Sequence, residues 1–223
     1  MAHPPATGPI AFLSDVHGNL AALEVVLTEL ERLGVKRIYV AGDLLLGGDE
    51  PLEVWHRLQA VGAICTRGPS DMALGSVDPS TLVPIDGEQR KQARLFADTR
   101  AAIGDLVAER LRRLPEQQRI PLIDGREVLM MHGSPVDSSR EIGHDLTDDE
   151  ILALLDDDPA DIIICGSTHV PFQRTVAEYH VVNVGSVGGA PEGQIAHYTV
   201  LTPKMSNAEI LQDWVSYEEP EAS

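Results

Sequence analysis

In the first third of this chain, short apolar runs alternate with amphipathic stretches. That alternation limits the fold more than any other feature. Pro9-Ile-Ala-Phe-Leu-Ser14 reads as a buried strand. Asn19 caps a helix predicted over Leu20–Leu33, whose apolar residues Leu20, Leu23, Val26, Leu27, Leu30 and Leu33 share one face. Arg37–Ala41 is a second strand, Pro51–Val61 a helix with proline in its first turn, and Ala63–Thr66 a third strand. The βαβαβ order implies a parallel sheet with right-handed crossovers. Such a sheet brings the carboxyl ends of its strands to one edge, where ligands bind.

The remainder is read more coarsely. Gly87–Ile103 and Asp105–Leu114 are helical and closed by Pro115. Strands are expected at Ile120–Ile123 and Glu127–His132, joined by the hairpin signal Asp124-Gly125. Thr147-Asp-Asp-Glu150 is a capping box opening a short helix, Ile151–Leu155. Asp161–Cys165 is another buried strand, and Gln173–Tyr217 reads as a β-meander of short strands with Gly, Pro and Asn turns. Neither an internal repeat nor a low-complexity linker interrupts the 223 residues, so a single domain is expected over 1–223, with 1–8 and 218–223 as flexible tails. Trp55 and Trp214 are expected to pack in or against the core.

Charge restricts the partners. Seventeen basic residues stand against 35 acidic ones, a formal charge of −18. Duplex nucleic acid needs a concentrated basic face, so unaided duplex binding is not expected. The same field slows a polyanion's approach unless a bound cation offsets it locally. The start of the chain has no basic segment, and Ile10–Leu13 is too short for a signal sequence. No run approaches the ~18 apolar residues of a membrane span. Cys65 and Cys165 lie in apolar runs and read as buried free thiols of a reducing compartment. A cytoplasmic protein with no membrane partner is therefore expected, and its oligomeric state is left open.

Polar residues gather where the predicted strands end: Ser14-Asp15-Val16-His17-Gly18-Asn19, Gly42-Asp43, Arg67-Gly68-Pro69-Ser70-Asp71, His132-Gly133-Ser134-Pro135 and Gly166-Ser167-Thr168-His169. In an extended segment Asp15 and His17 point the same way and offer one metal an oxygen and a nitrogen. Asp43 and His169 could complete a mixed set, which suits Mn²⁺, Fe²⁺, Zn²⁺ or Ni²⁺ better than Ca²⁺. Gly47-Gly48 lacks the Lys-Ser/Thr of a phosphate-binding loop, and no Gly-x-Ser-x-Gly elbow is present.

This ordered set resembles the calcineurin-like metallophosphoesterase superfamily, whose motifs run Asp-x-His, Gly-Asp, Gly-Asn-x-Asp, His-Gly and Gly-His-x-His. Met131-His-Gly-Ser-Pro135 and Asn183-Val-Gly-Ser-Val-Gly188 are similar to the small bacterial phosphoesterases, and the resemblance spans residues 10 to about 201. It implies a four-layer α-β-β-α sandwich with two metals at the sheet edge. By the family pattern, Asp15, His17, Asp43 and His169 would hold the first metal. The second would share Asp43 and take His132, the third-motif Asn and the first His of the last motif. Here those last two positions are Pro69 and Ser167. The resemblance therefore implies one strong divalent transition-metal site and a second that is weak or absent, with Asp71 the one nearby carboxylate able to compensate if its loop shifts.

The expected activity is metal-dependent hydrolysis of a small phosphomonoester or phosphodiester by a metal-activated water. Asp15, Asp43, His132 and Arg67 are the candidate catalytic residues. Arg67, whose guanidinium fork suits phosphate, is also a candidate substrate clamp. Arg140 and His144 are further substrate-binding candidates, because the irregular segment 136–146 is placed to overhang the site. Pro69 and Ser167 keep a second reading open: a catalytically weak or inactive binding or scaffold protein on the same fold.

Overall fold

The computed structural model describes residues 4–155, 157, 159–205 and 208–218. The three parallel strands expected at the start are β1 (Ile10–Leu13), β2 (Arg37–Ala41) and β3 (Ile64–Thr66), linked by α1 (Leu20–Arg32) and α2 (Pro51–Ala60). Asn19 caps α1 by accepting the Ala22 amide through its side chain. Next come α3 (Pro69–Ser76), a single 3₁₀ turn (Pro79–Thr81) and α4 (Gly87–Arg112). Gly104, at φ 67° and ψ 175°, splits α4 into the two helical segments expected from the sequence.

Then follow β4 (Gln117–Pro121), β5 (Glu127–Met131), α5 (Asp148–Leu152), β6 (Ile162–Cys165), β7 (Phe172–Val176), β8 (Tyr179–Asn183), β9 (Ile195–Pro203) and β10 (Ala208–Ser216). Among the described residues these strands form two five-stranded sheets, ordered β10-β9-β1-β2-β3 and β4-β5-β6-β8-β7. The expected meander is instead two hairpins in different sheets. β7–β8 closes one sheet, while β9 crosses over to pair antiparallel with β1 in the other. Gly/Pro/Asn turns mark hairpins but do not say which sheet each one joins.

Period-2 alternation sorts the side chains into layers. Ala11 and Leu13 of β1 face α1, α2 and α4. Ile10 and Phe12 face the other way, against Ile120, Val128, Met130 and Ile164 of the second sheet. The outer face of that sheet, with Leu129, Met131 and Ile163, is covered by Ile142, Ile151 and Leu154. The result is the α-β-β-α sandwich implied by the motifs. Of the segment expected as a flexible tail, Ala6 is buried and donates its amide to the Pro121 carbonyl, so the sheet holds it; 1–3 and 219–223 lie outside the described residues. Trp55 is buried in the core, whereas Trp214 is 55% exposed on the edge strand β10 and does not pack as expected. No described helix is long and apolar enough to cross a membrane.

Candidate metal centre

The carboxyl ends of β1, β2, β5 and β6 meet between the two sheets, and the turns that leave them are strained. Six described non-glycine residues have positive φ, and five of them are Asp15, His17, Asp43, Ser167 and His169, at 52° to 77°. Left-handed backbone at such residues costs of order 1–3 kcal/mol each and persists where the surroundings over-determine it, commonly at functional sites. Asp15 and His17 therefore converge through a tight turn, not through the extended backbone expected from their spacing. The loops after β1 and β2 are zipped by amide-to-carbonyl bonds from Asp15 to Gly42, His17 to Asp43 and Gly18 to Leu44, 3.0–3.1 Å. Glycine permits the close approach: a Cβ on Gly166 would sit 2.0 Å from Ser14 Oγ, and one on Gly68 2.1 Å from Asp43 Oδ1.

All five expected ligands come together. His169 Nε2 lies 3.1 Å and His17 Nε2 3.5 Å from Asp15 Oδ1, and the two Nε2 atoms are 3.1 Å apart. His132 Nε2 is 4.0 Å from Asp15 Oδ1 and 3.7 Å from Asp43 Oδ2. The ligand atoms fall into two groups, Asp15/His17/His169 and Asp15/Asp43/His132. The residue common to both is Asp15, where the family pattern implied Asp43. Ligand atoms each about 2.1 Å from one ion stand roughly 3.0–3.4 Å apart, and the first group, at 3.1–3.5 Å, is close to that spacing. The second group is wider.

The three imidazoles are prepared identically. His17 Nδ1 donates to the Leu46 carbonyl, His132 Nδ1 to the Ala41 carbonyl and His169 Nδ1 to the Gly189 carbonyl, each at 2.8 Å. A carbonyl can only accept, so each ring carries its proton on Nδ1 and turns the Nε2 lone pair toward the carboxylates. This is the outer support metal-ligating histidines have. Lone pairs facing lone pairs and carboxylates need a cation among them, so the donor set fits a divalent metal. The charges respond accordingly. In the absence of a cation a second proton on Nε2 takes its place: burial works against the Asp15 carboxylate, but His169 and His17 so protonated donate to it and, with the charge of His132, outweigh burial and hold it below the usual range. Asp15 in turn raises His169, and raises His17 against that residue's own burial.

The second oxygens are also held. Asp15 Oδ2 accepts the Ser167 amide at 3.0 Å, and Asp43 Oδ1 accepts the Ser70 amide at the N-terminus of α3 at 3.0 Å. Ser167 and Pro69, the two departures from the family pattern, thus serve as backbone: one donates an amide, the other opens α3.

Asp71 does not compensate for them. It is fully buried and accepts the amides of Asp43, Leu44 and Gly68 at 2.8–3.0 Å, bracing the turn that carries Asp43. Burial, then the Asp43 carboxylate, push it up to about 7.

Arg67 does not reach the centre as a clamp. It donates to the Arg112 carbonyl and pairs with Glu116, both at 2.6 Å, tying down the C-terminus of α4. The uncapped carbonyls of a helix end are a ready partner for a nearby guanidinium. Arg140 is exposed and lines a cleft of about 420 Å³ with Ser134 and Glu116, beside the His132 loop. His144 is exposed on the same 136–146 segment. That segment does lie over the site loops. Asn183 Nδ2 reaches the Ile142 and Gly166 carbonyls, and a Cβ on Gly133 would sit 2.4 Å from the Ser138 carbonyl oxygen. Cys65 and Cys165 are buried free thiols pushed up to about 12, chiefly by burial, and are chemically quiet.

The carbonyls of Ala41, Leu46 and Gly189 escape sequence reading because backbone atoms leave no residue signal. Asn183 and Ser186 lie inside a motif that the sequence does display. Ser186 Oγ donates to the Asp15 carbonyl at 2.9 Å and accepts the Gly189 amide at 2.7 Å.

The profile of the calcineurin-like phosphoesterase superfamily domain matches residues 9–206. An uncharacterised protein of Methanocaldococcus jannaschii is 25% identical across 91% of this chain and 86% of its own length. A hypothetical protein from Pyrococcus horikoshii superposes with a TM-score of 0.80 at 20% identity, over 95% of this chain and 89% of that one. A metallophosphoesterase from Sphaerobacter thermophilus does so with 0.74 at 23% identity, over 96% and 90%.

Proposed function

The chain belongs to the calcineurin-like phosphoesterase superfamily, and from that premise we propose that it is a metal-dependent phosphoric ester hydrolase acting on a small phosphomonoester or phosphodiester. One observation carries the reading: three imidazoles, each locked through Nδ1 onto a backbone carbonyl, aim Nε2 at the shared carboxylate of Asp15. Imidazoles fixed alike in this way support a centre that takes up metal, which the hydrolytic reading requires.

Asp15, His17 and His169 would hold one divalent ion, and Asp43 and His132, with Asp15, a second. Mn²⁺, Fe²⁺, Zn²⁺ and Ni²⁺ all suit the mixed oxygen and nitrogen set. Divalent ions bound there would polarise a phosphoryl oxygen and make a coordinated water a nucleophile near neutral pH. The chain itself fixes the rest. The α3 N-terminus and the Ser167 amide spread the charge of Asp43 and Asp15. The shared wall of His132, Asp15 and Asp43 orients whatever binds between them. A chain of formal charge −18 repels a phosphate dianion, so the cationic centre is also the place where such a substrate can settle. The two buried free thiols fit a reducing, cytoplasmic setting.

Pro69 and Ser167 favour the second reading, a weakly active or inactive binding protein, because neither supplies a side-chain ligand. Hydrolysis of 4-nitrophenyl phosphate and bis(4-nitrophenyl) phosphate, screened over Mn²⁺, Ni²⁺, Zn²⁺ and Mg²⁺, separates the two. Metal-dependent turnover that falls by at least about a hundredfold in Asp43→Asn is expected. A folded, metal-loaded protein with no turnover on either ester would select the binding reading.

A further inference from the structure

The loop that packs against the first ligand group runs Ser186-Val187-Gly188-Gly189. It comes so close that side chains are excluded. A Cβ on Gly188 would sit 2.1 Å from the Val16 carbonyl oxygen, and one on Gly189 would sit 3.0 Å from the His169 ring and 3.2 Å from His17 Cδ2. Contact with both imidazoles therefore needs two consecutive glycines, and glycine is the residue with the least backbone rigidity of its own. Yet the Gly189 carbonyl is the group that accepts His169 Nδ1, at 2.8 Å. A carbonyl on so free a residue can orient an imidazole only if something else fixes it.

Ser186 fixes it. The backbone of Ser186 is bonded both ways to His197 of β9: the Ser186 amide donates to His197 Nδ1 at 3.3 Å, and its carbonyl accepts the His197 amide at 3.0 Å. From that anchor the buried hydroxyl accepts the Gly189 amide at 2.7 Å and donates to the Asp15 carbonyl at 2.9 Å. An amide only donates and a carbonyl only accepts, so the hydroxyl proton has one direction. The Asp15 carbonyl takes the Gly188 amide as well, at 2.9 Å, which occupies both of its lone pairs. Asp15 itself has left-handed backbone, at φ 55°, a conformation that persists only where its surroundings hold it. One oxygen thus joins the turn that aims Asp15 to the glycine that aims His169. Those two residues face each other at 3.1 Å in the first ligand group, while His17 depends on the Leu46 carbonyl from another loop.

We propose that Ser186 is a positioning residue for the first metal ion: its hydroxyl sets the Asp15–His169 geometry and thereby the affinity for that ion. The proposal rests on the metal-dependent reading above and adds the residue that tunes its tighter site. Ser186 bonds backbone groups only, so it acts through Asp15 and His169. Outer partners of this kind are worth about 10–100-fold in metal affinity.

The test uses the full chain and two measurements: Mn²⁺ affinity by titration, and exchange of the imidazole Nδ1 protons of the metal-free chain by nitrogen–proton NMR. In Ser186→Ala, Mn²⁺ affinity at the tighter site should fall by about 10–100-fold. The His169 Nδ1 proton should exchange several-fold faster, while those of His17 and His132, held by the Leu46 and Ala41 carbonyls, keep their wild-type rates. Ser186→Cys, which keeps a weaker donor and acceptor of similar size, should fall between on both measurements, and it carries the test alone if Ser186→Ala does not fold. Thr199→Val is the structural control. It removes an equally buried hydroxyl that faces Gln212 at 3.5 Å, and it should match wild type on both. Unchanged Mn²⁺ affinity, an unchanged His169 rate, equal acceleration of all three rings, or the same losses in Thr199→Val would each overturn the proposal. Selective release of His169 in a chain whose wild type binds no Mn²⁺ would uphold the positioning role and overturn the metal-dependent reading instead.

Discussion

A carboxylate as deeply buried as Asp15 stays ionised only with a donor or a positive charge beside it: the Ser167 amide on one oxygen and, toward the imidazoles at 3.1 and 3.5 Å and His132 behind them, a cation or a second proton on Nε2. The Asp43 side is built as tightly, and two substitutions test it. In Gly68→Ala the new Cβ would meet Asp43 Oδ1 at 2.1 Å and the Asp43 amide at 2.8 Å, so the turn must move. Urea unfolding should show a loss of about 1–3 kcal/mol, with weaker metal retention. Asp71→Asn leaves one acceptor oxygen for three buried amides. A loss of about 1–3 kcal/mol is expected, with faster hydrogen exchange at the Asp43 and Leu44 amides. Exchange as slow as in wild type would show that Asp71 does not brace the turn.

At the scale of elements, the centre hangs on loops that the sheets hold from behind. β9 supplies the backing for residues 183–189: buried His197 accepts the Ser186 amide on Nδ1 at 3.3 Å, while Ser186 holds the Asp15 carbonyl. Burial, against the pull of Glu192, keeps His197 below its ordinary value. The unfolded chain therefore takes up this proton more readily than the native one. Stability that is present above about pH 6.5 should be lost as pH falls through the lower native value. Melting temperature followed from pH 7.5 downward should decline, and His197→Asn, which keeps an acceptor near Nδ1 and cannot charge, should flatten the decline. An unchanged slope would remove His197 from the account. The β1-α1-β2-α2-β3 order was legible because each strand and helix carries its own period and caps, as with Asn19 before α1. The placement of β9 and β10 was not legible: a hairpin's sequence encodes its turn and not its sheet. Convergence of Asp15, His17, Asp43, His132 and His169 could be read from their positions at strand ends. The engagement of Arg67 at the end of α4 and of Asp71 with three amides is not legible, because a charged residue near a site looks alike in sequence whether it faces the ligand, a helix end or a set of amides.

For the whole molecule, metal binding and folding should be linked. An ion bound only by the native state at a hundredfold excess over its dissociation constant stabilises by about 2.7 kcal/mol, so chelation should lower the melting temperature of this 223-residue chain by about 5–10 °C. The two ligand groups are not equivalent. Separations of 3.1–3.5 Å in Asp15/His17/His169 match a single ion, whereas His132 stands 3.7–4.0 Å from its carboxylates, with Pro69 and Ser167 adding no side-chain ligand. The most direct test of a metal centre built around Asp15 is the metal content of the Mn²⁺-loaded full chain after exhaustive dialysis, with anomalous scattering to place what remains. About one tightly held ion per chain is expected at Asp15, His17 and His169, and a second that dialyses away. A chain that retains no metal, or two ions held equally, would contradict it.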